Sequence, residues 1–248
     1  MHDTADPFFE PYDRDEIAYG DVPSAPIAAY LRQVIGRRVL DQQQNISHAI
    51  DLGAGAGRDT IALAKAGFLV KAVDLSQRGL DRIMQRARNA GVDQRVTTQV
   101  ADVRQVDVPP GSHAAIVATT VLDHIPAEDA KALWQKLADG LRPDGMLYVE
   151  VHTTEDPGSD QEPGCDSNDP VSETADAVIN YFRPNQLARW ATDPEARLRI
   201  LKYEERLEWD YTHGPEHLHG KAILLAVRAG FHPPYYGQPA AFPQRTSQ

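Results

Sequence analysis

The stretch Ala49–Thr60, AIDLGAGAGRDT, constrains more than any other what this chain can fold into. An apolar run (Ala49, Ile50, Leu52) leads into three alternating glycines, Gly53, Gly55 and Gly57, and then into the helix-like RDTIALAKAG. Strand, glycine loop and helix in that order make a cradle for a nucleotide-like ligand. Glycine lets the backbone turn tightly and approach a bound molecule. The first turn of the following helix directs N–H groups toward it.

The rest of the chain alternates in the same way. After the strand at 48–52 and a helix at about 58–66, FLVKAVDLS reads as a second strand and RGLDRIMQRARNAG as a second helix. VTTQVAD and HAAIVATTVL are strands three and four. AEDAKALWQKLADGL is a helix stopped by the RPDG turn, and MLYVEVHTT is strand five. Upstream, SAPIAAYLRQVIGRRVL has helical spacing, with Ser24 as its cap and a proline in its first turn. PNQLARWAT reads as a short helix. LRILKYEERLEWDYTH and KAILLAVRAG read as an antiparallel hairpin closed by the turn GPEHLHG. Strands separated by helical patterns pair in parallel through right-handed crossovers. The expected fold is a doubly wound α/β, mostly parallel seven-stranded sheet with a reversed terminal strand. Its domain spans 24–229, between an aromatic, acidic arm at 1–23 and a tail at 230–248. Residues 154–182 carry eight acidic residues and neither lysine nor arginine. They read as a loop or a lid over the site.

The glycine loop also excludes a ligand. A dinucleotide fingerprint, G-x-G-x-x-G, needs a third glycine where Arg58 stands in one register and Thr60 in the other. Asp51, just before the loop, would repel a pyrophosphate. It would favour the ammonium and sulfonium groups of S-adenosylmethionine. The pattern D-L-G-x-G-x-G resembles motif I of the class I S-adenosylmethionine-dependent methyltransferases. That resemblance implies a cofactor site of Asp51, Gly53, Ala54, Gly55, Gly57 and Arg58. It adds Asp74 and Leu75 at the end of strand two for the ribose. Asp102 and Val103 follow strand three for the adenine, and Thr119 lies beneath the methionine part. LRPDGMLYVEV resembles the post-strand pattern of that class, with Asp144 in place of its first glycine. Within the class, Arg58 after the glycines and the ending THGPEHLHGKAILLAVRAG resemble the small-molecule tellurite-resistance and thiol methyltransferases. In that resemblance, Ala54 stands where a cysteine is common.

The acceptor class stays open among thiols, oxyanions, hydroxyls and amines. A hydroxyl or amine needs a base, for which His124, His152 and His217 are the candidates, with Asp123 beside the first. Each also has a plainer reading: Asp123 as a helix-capping acid, His124 as a packed ring, and His152 as a locally bonded strand end. His213, His217 and His219 invite a metal reading, but three histidines in a polar turn more often face solvent, so no metal is expected. Cys165 is the sole cysteine, which excludes an internal disulfide. A formal net charge of −11 argues against a nucleic-acid partner. No apolar run approaches the roughly 18 residues of a membrane span, and the N-terminus lacks an apolar signal core. A cytoplasmic protein, monomer or homodimer, is expected. A non-catalytic protein that binds the cofactor or its demethylated product is the alternative.

Overall fold

The computed structural model of the protein describes residues 20–38, 47–160, 177–210 and 215–233. Most of the N-terminal arm, the middle of the 154–182 segment, His213 and the end of the tail lie outside them. In chain order the elements are α1 (Ala25–Arg38), β1 (His48–Leu52), α2 (Arg58–Lys65), β2 (Leu69–Asp74), α3 (Gln77–Asn89) and β3 (Val96–Val100). They continue with β4 (His113–Thr119), α4 (Ala127–Gly140), β5 (Leu141–His152), α5 (Gln186–Thr192), β6 (Leu198–Asp210) and β7 (His217–Arg228). The seven strands form one sheet in the order β3-β2-β1-β4-β5-β7-β6. β1 to β5 pair in parallel, and β7 runs antiparallel to both its neighbours. This is the expected doubly wound sheet with one reversed strand. The order reverses between β1 and β4, which opens a crevice at the carboxyl ends of the strands.

Both faces of the sheet are covered, so its central strands are apolar on both sides rather than alternating. Ile50, Leu52, Ile116 and Leu147 pack on one face with Trp134 and Leu137 of α4. Ala49, Val70, Val117 and Tyr148 pack on the other with Leu63 of α2, Ile83 of α3 and Ile27 of α1. Each fully buried Leu or Ile contributes about 1.5–3 kcal/mol by leaving water.

Three local expectations are corrected. Ser24 does not cap α1 through its hydroxyl. Its carbonyl accepts from Ala28 N–H, while its N–H and hydroxyl donate to the Asp59 carboxylate at 2.8 and 2.9 Å. The RPDG segment is not a turn, because α4 ends at Gly140 and β5 begins at once, with Leu141 beside His113. A register shift between His113 and Ala115 absorbs Pro143, which cannot donate to the ladder. The HLHG segment belongs to β7. Its ladder with β6 runs from Leu198↔Arg228 out to Asp210↔His217, so those histidines enter the sheet.

Candidate active site

The glycine loop has the conformation its sequence requires. Gly57 has φ +81° and precedes α2, and a Cβ there would stand 2.6 Å from Ile83 Cγ1 of α3. Only glycine both adopts this left-handed turn and lets α3 pack so closely. Above the loop lies a cavity of about 680 Å³. Its walls take in every cofactor residue expected from the sequence: Asp51, Gly53, Ala54, Gly55, Gly57, Arg58, Asp74, Leu75, Asp102, Val103 and Thr119.

Three carboxylates stand at the carboxyl ends of neighbouring strands. Asp51 is buried and accepts from Thr60 Oγ1 at 2.6 Å. Burial, and then the nearby Asp59, push its carboxyl up to about 7, against the pull of the Thr60 hydroxyl. Asp74 accepts from Gly55 N–H and Ser76 N–H, each at 2.8 Å, so it braces the loop and the Ser76 cap of α3. Burial raises its carboxyl, and those two N–H groups oppose the shift. Asp102 is held by Arg104, whose guanidinium also reaches Asp129 at 3.0 Å. Arg58, beside Asp59 at 3.5 Å, shares the cavity wall with them.

Two features mark the end of β4. Thr120 has φ +51°, which is strained for a β-branched residue and is held by its N–H to the Glu150 carbonyl. Thr119 Oγ1 is buried on the cavity wall and, among the described residues, makes no hydrogen bond. A buried hydroxyl without a partner costs about 1–3 kcal/mol. A ligand with polar groups in this cavity removes that cost. An anionic wall with an unsatisfied hydroxyl fits a cationic, amino-acid-bearing cofactor and disfavours a pyrophosphate.

At the other end of the cavity the histidines gather around Asp123, which is fully buried. Its Oδ1 lies 3.0 Å from His124 Nδ1, and its Oδ2 lies 2.5 Å from His152 Nδ1 while accepting His152 N–H at 2.8 Å. Burial alone would raise this carboxyl, yet the two imidazoles hold it far below the usual range. It is therefore an ionised bridge and caps no helix. The first turn of α4 has Pro126 at its cap position and no side-chain cap. Burial opposes charge on His124, but Asp123 and then the Thr120 carbonyl outweigh it and raise its pKa. His124 thus donates on both sides and favours the imidazolium form. His152 donates Nδ1–H to Asp123, which leaves Nε2 as the basic nitrogen.

His219 lies edge-on to His152, with ring centroids 4.6 Å apart. His124, His152 and His219 all line the cavity; His217 does not, and sits behind His219 with its Nε2 3.0 Å from that of His219. His217 and His219 are 1% and 7% exposed, so the solvent-facing turn expected for them is overturned. Of the acidic segment, Asp156, Val178, Ile179 and Tyr181 reach the cavity. Ile179 and Asn180 donate N–H to the Asp123 carbonyl, which ties this wall to the bridging acid.

Sequence reasoning missed Glu150 and Lys221. Tyr148 OH donates to Glu150 at 2.8 Å and Lys221 Nζ pairs with it at 3.1 Å, all three buried or nearly so. A charge within each apolar strand, VEV and GKAILL, was the available signal, since buried charges are rare unless paired.

Residues 49–145 match the family model described as a methyltransferase domain. Over those residues the chain is similar to a methyltransferase domain. The match begins at the glycine-loop strand and ends inside β5. Over 133 residues the chain is 29% identical to a carboxy-S-adenosyl-L-methionine synthase of Shewanella frigidimarina, covering 51% of this chain and 53% of that one. Over 101 residues it is 32% identical to a 27-O-demethylrifamycin SV methyltransferase of Amycolatopsis mediterranei, covering 40% and 36%. The chain spans about half the length of the first curated relatives it matches. Among solved structures, TehB from Haemophilus influenzae superposes with a TM-score of 0.57 at 15% identity, covering 78% of this chain and 61% of that one. This accords, at the level of the fold, with the resemblance read from the sequence. No helix among the described residues is long and apolar enough to cross a membrane.

Similarity to a methyltransferase domain accords with the anionic cradle and gives one direct expectation. Replacing Asp74 by alanine removes both the brace on Gly55 N–H and the carboxylate read as the ribose acceptor. Calorimetry should show S-adenosylmethionine binding weakened by about 10- to 100-fold, or about 1.4–2.8 kcal/mol. Unchanged affinity would sink the ribose assignment.

Proposed function

We infer that the protein transfers a methyl group from S-adenosylmethionine to a small acceptor seated between the glycine loop and the histidine cluster. The observation that carries this reading is the Asp123 carboxylate shared by His124 and His152, at the end of a cavity that also holds the cofactor cradle. When bound, the cofactor supplies a methyl group activated by its sulfonium. The chain supplies alignment and proton management. Asp123 sets the tautomer of His152, whose Nε2 takes the proton of an acceptor hydroxyl, thiol or ammonium. His124, its pKa raised between Asp123 and the Thr120 carbonyl, steadies negative charge developing on the acceptor. Lys221 and Arg58 add positive charge to the same wall, which suits an acceptor that reacts as an anion.

Curated relatives named as carboxy-S-adenosyl-L-methionine synthases favour a second reading, in which the cofactor itself is modified. One experiment separates the two. The protein is incubated with S-adenosylmethionine and a panel of thiols, phenols, carboxylates and amines, and the products are read by mass spectrometry. Release of S-adenosylhomocysteine with an acceptor 14 Da heavier is the expected result. Release of a heavier cofactor would replace the first reading with the second. Binding with no turnover on any acceptor would leave a non-catalytic binder. His152→Gln is expected to slow turnover by about 10²–10⁴-fold without altering cofactor affinity.

A further inference from the structure

Beside the acceptor end of the cavity lies a group that this chemistry does not use. Asp210 ends β6, and His217 and His219 open β7, with Asp210 registered against His217 across the antiparallel ladder. His217 Nδ1 lies 2.6 Å from the Pro215 carbonyl oxygen, and His219 Nδ1 lies 3.1 Å from Asp156 Oδ2. A carbonyl and a carboxylate only accept, so both Nδ1 atoms are the donors. In each neutral ring the lone pair then sits on Nε2, and the two Nε2 atoms face each other at 3.0 Å. Two lone pairs at that distance repel. The contact is stable only with a shared proton or a metal ion bound by both rings.

Three features favour the ion. One donor atom from each of Asp210, His217 and His219 lies within 4.8 Å of the others. Two nitrogens bound side by side to one metal at about 2.0–2.1 Å stand roughly 3.0–3.4 Å apart, as these do. Each imidazole is backed on its far nitrogen by a carbonyl or a carboxylate, the outer shell that orients metal-binding histidines. That outer shell is itself fixed. A Cβ on Gly220 would stand 2.3 Å from Asp156 N, so only glycine lets the 153–156 loop abut β7, and Gly220 N–H donates to the same Asp156 oxygen at 2.9 Å.

The geometry points to a divalent transition-metal site formed by Nε2 of His217, Nε2 of His219 and the carboxylate of Asp210. Two imidazoles and one carboxylate suit Zn²⁺, Co²⁺ or Fe²⁺ rather than Mg²⁺ or Ca²⁺. Asp210 and His219 line the cavity, so an ion held there has a coordination position open toward it. An acceptor oxygen or sulfur bound at that position would lose its proton more readily. The site stands on these distances alone and holds or falls independently of methyl transfer.

The test is metal binding, not turnover. Full-length protein stripped with a chelator is titrated with Co²⁺ and with Zn²⁺, followed by the visible cobalt spectrum and by elemental analysis after gel filtration. One equivalent is expected, with the intense visible bands of four- or five-coordinate cobalt. His217→Gln and Asp210→Asn should each weaken binding by more than the roughly 10- to 100-fold that loss of an outer-shell partner costs. His124→Gln should bind as the parent does. Zn²⁺ should raise the melting temperature of the parent but not of Asp210→Asn, which carries the test alone if His217→Gln fails to fold. Binding far below one equivalent in the parent, or equal affinity in Asp210→Asn, would overturn the site and leave the two rings sharing a proton.

Discussion

Asp123→Asn is expected to lower kcat by about 10²–10⁴-fold while leaving S-adenosylmethionine affinity within a few-fold of the parent. The amide cannot accept from both imidazoles and from His152 N–H with the strength of an ionised carboxylate. His152 then loses the anchor that keeps its proton on Nδ1. Steady-state kinetics together with calorimetry separate this from a folding defect. A variant with parental kcat would remove Asp123 from the mechanism. Asp123→Ala should go further and cost about 3–5 kcal/mol of stability, since it leaves the His152 N–H and both imidazoles without their shared buried acceptor. The pH dependence has a definite sign. The folded carboxyl of Asp123 is held below its unfolded value of about 3.9, so its contribution is present above that pH and is lost on further acidification. The folded pKa of His124 is raised, so its contribution is present below about 6.5 and is lost as pH rises through the folded value.

Asp51→Asn should weaken cofactor binding as strongly as Asp74→Ala and should also change its pH dependence. In the free protein the Asp51 carboxyl is pushed up to about 7, chiefly by burial. A cationic ligand prefers the ionised carboxylate. Binding below pH 7 therefore releases a proton, and affinity should fall by up to about tenfold for each pH unit below that value. Isothermal titrations at pH 5.5, 6.5 and 7.5 in buffers of different ionisation enthalpy measure both the slope and the proton. In Asp51→Asn the slope should vanish and the affinity at pH 7.5 should drop about 10- to 100-fold. A parental slope in that variant would show that another group titrates.

These two acids were not equally legible. Asp51 could be read from its neighbours, because strand, carboxylate and glycine loop are contiguous and local geometry follows local sequence. Asp74, Asp102 and Thr119 were also within reach as cavity residues, since each stands at or just beyond the end of a strand of the parallel sheet and all such ends open on one crevice. Asp123 was visible only as a residue beside His124. Its partnership with His152 joins strands four and five, 29 residues apart, and no periodic pattern reports it. The RPDG and HLHG segments were read as turns on their composition, and the ladders with β4 and β6 overrode it.

The order of apolar strands, glycines and helical faces determined the doubly wound sheet and the cradle at its crevice. Hydrophobic periodicity and backbone sterics act over a few residues, and they are written directly in the chain. The tertiary structure alone decided the hydrogen-bond partners of the histidines. One shared carboxylate raises the pKa of His124 and holds the Nδ1 proton of His152. It also placed His217 and His219 inside the sheet with their Nε2 atoms opposed. Those properties depend on distance and desolvation between residues remote in sequence, and only folding sets either one.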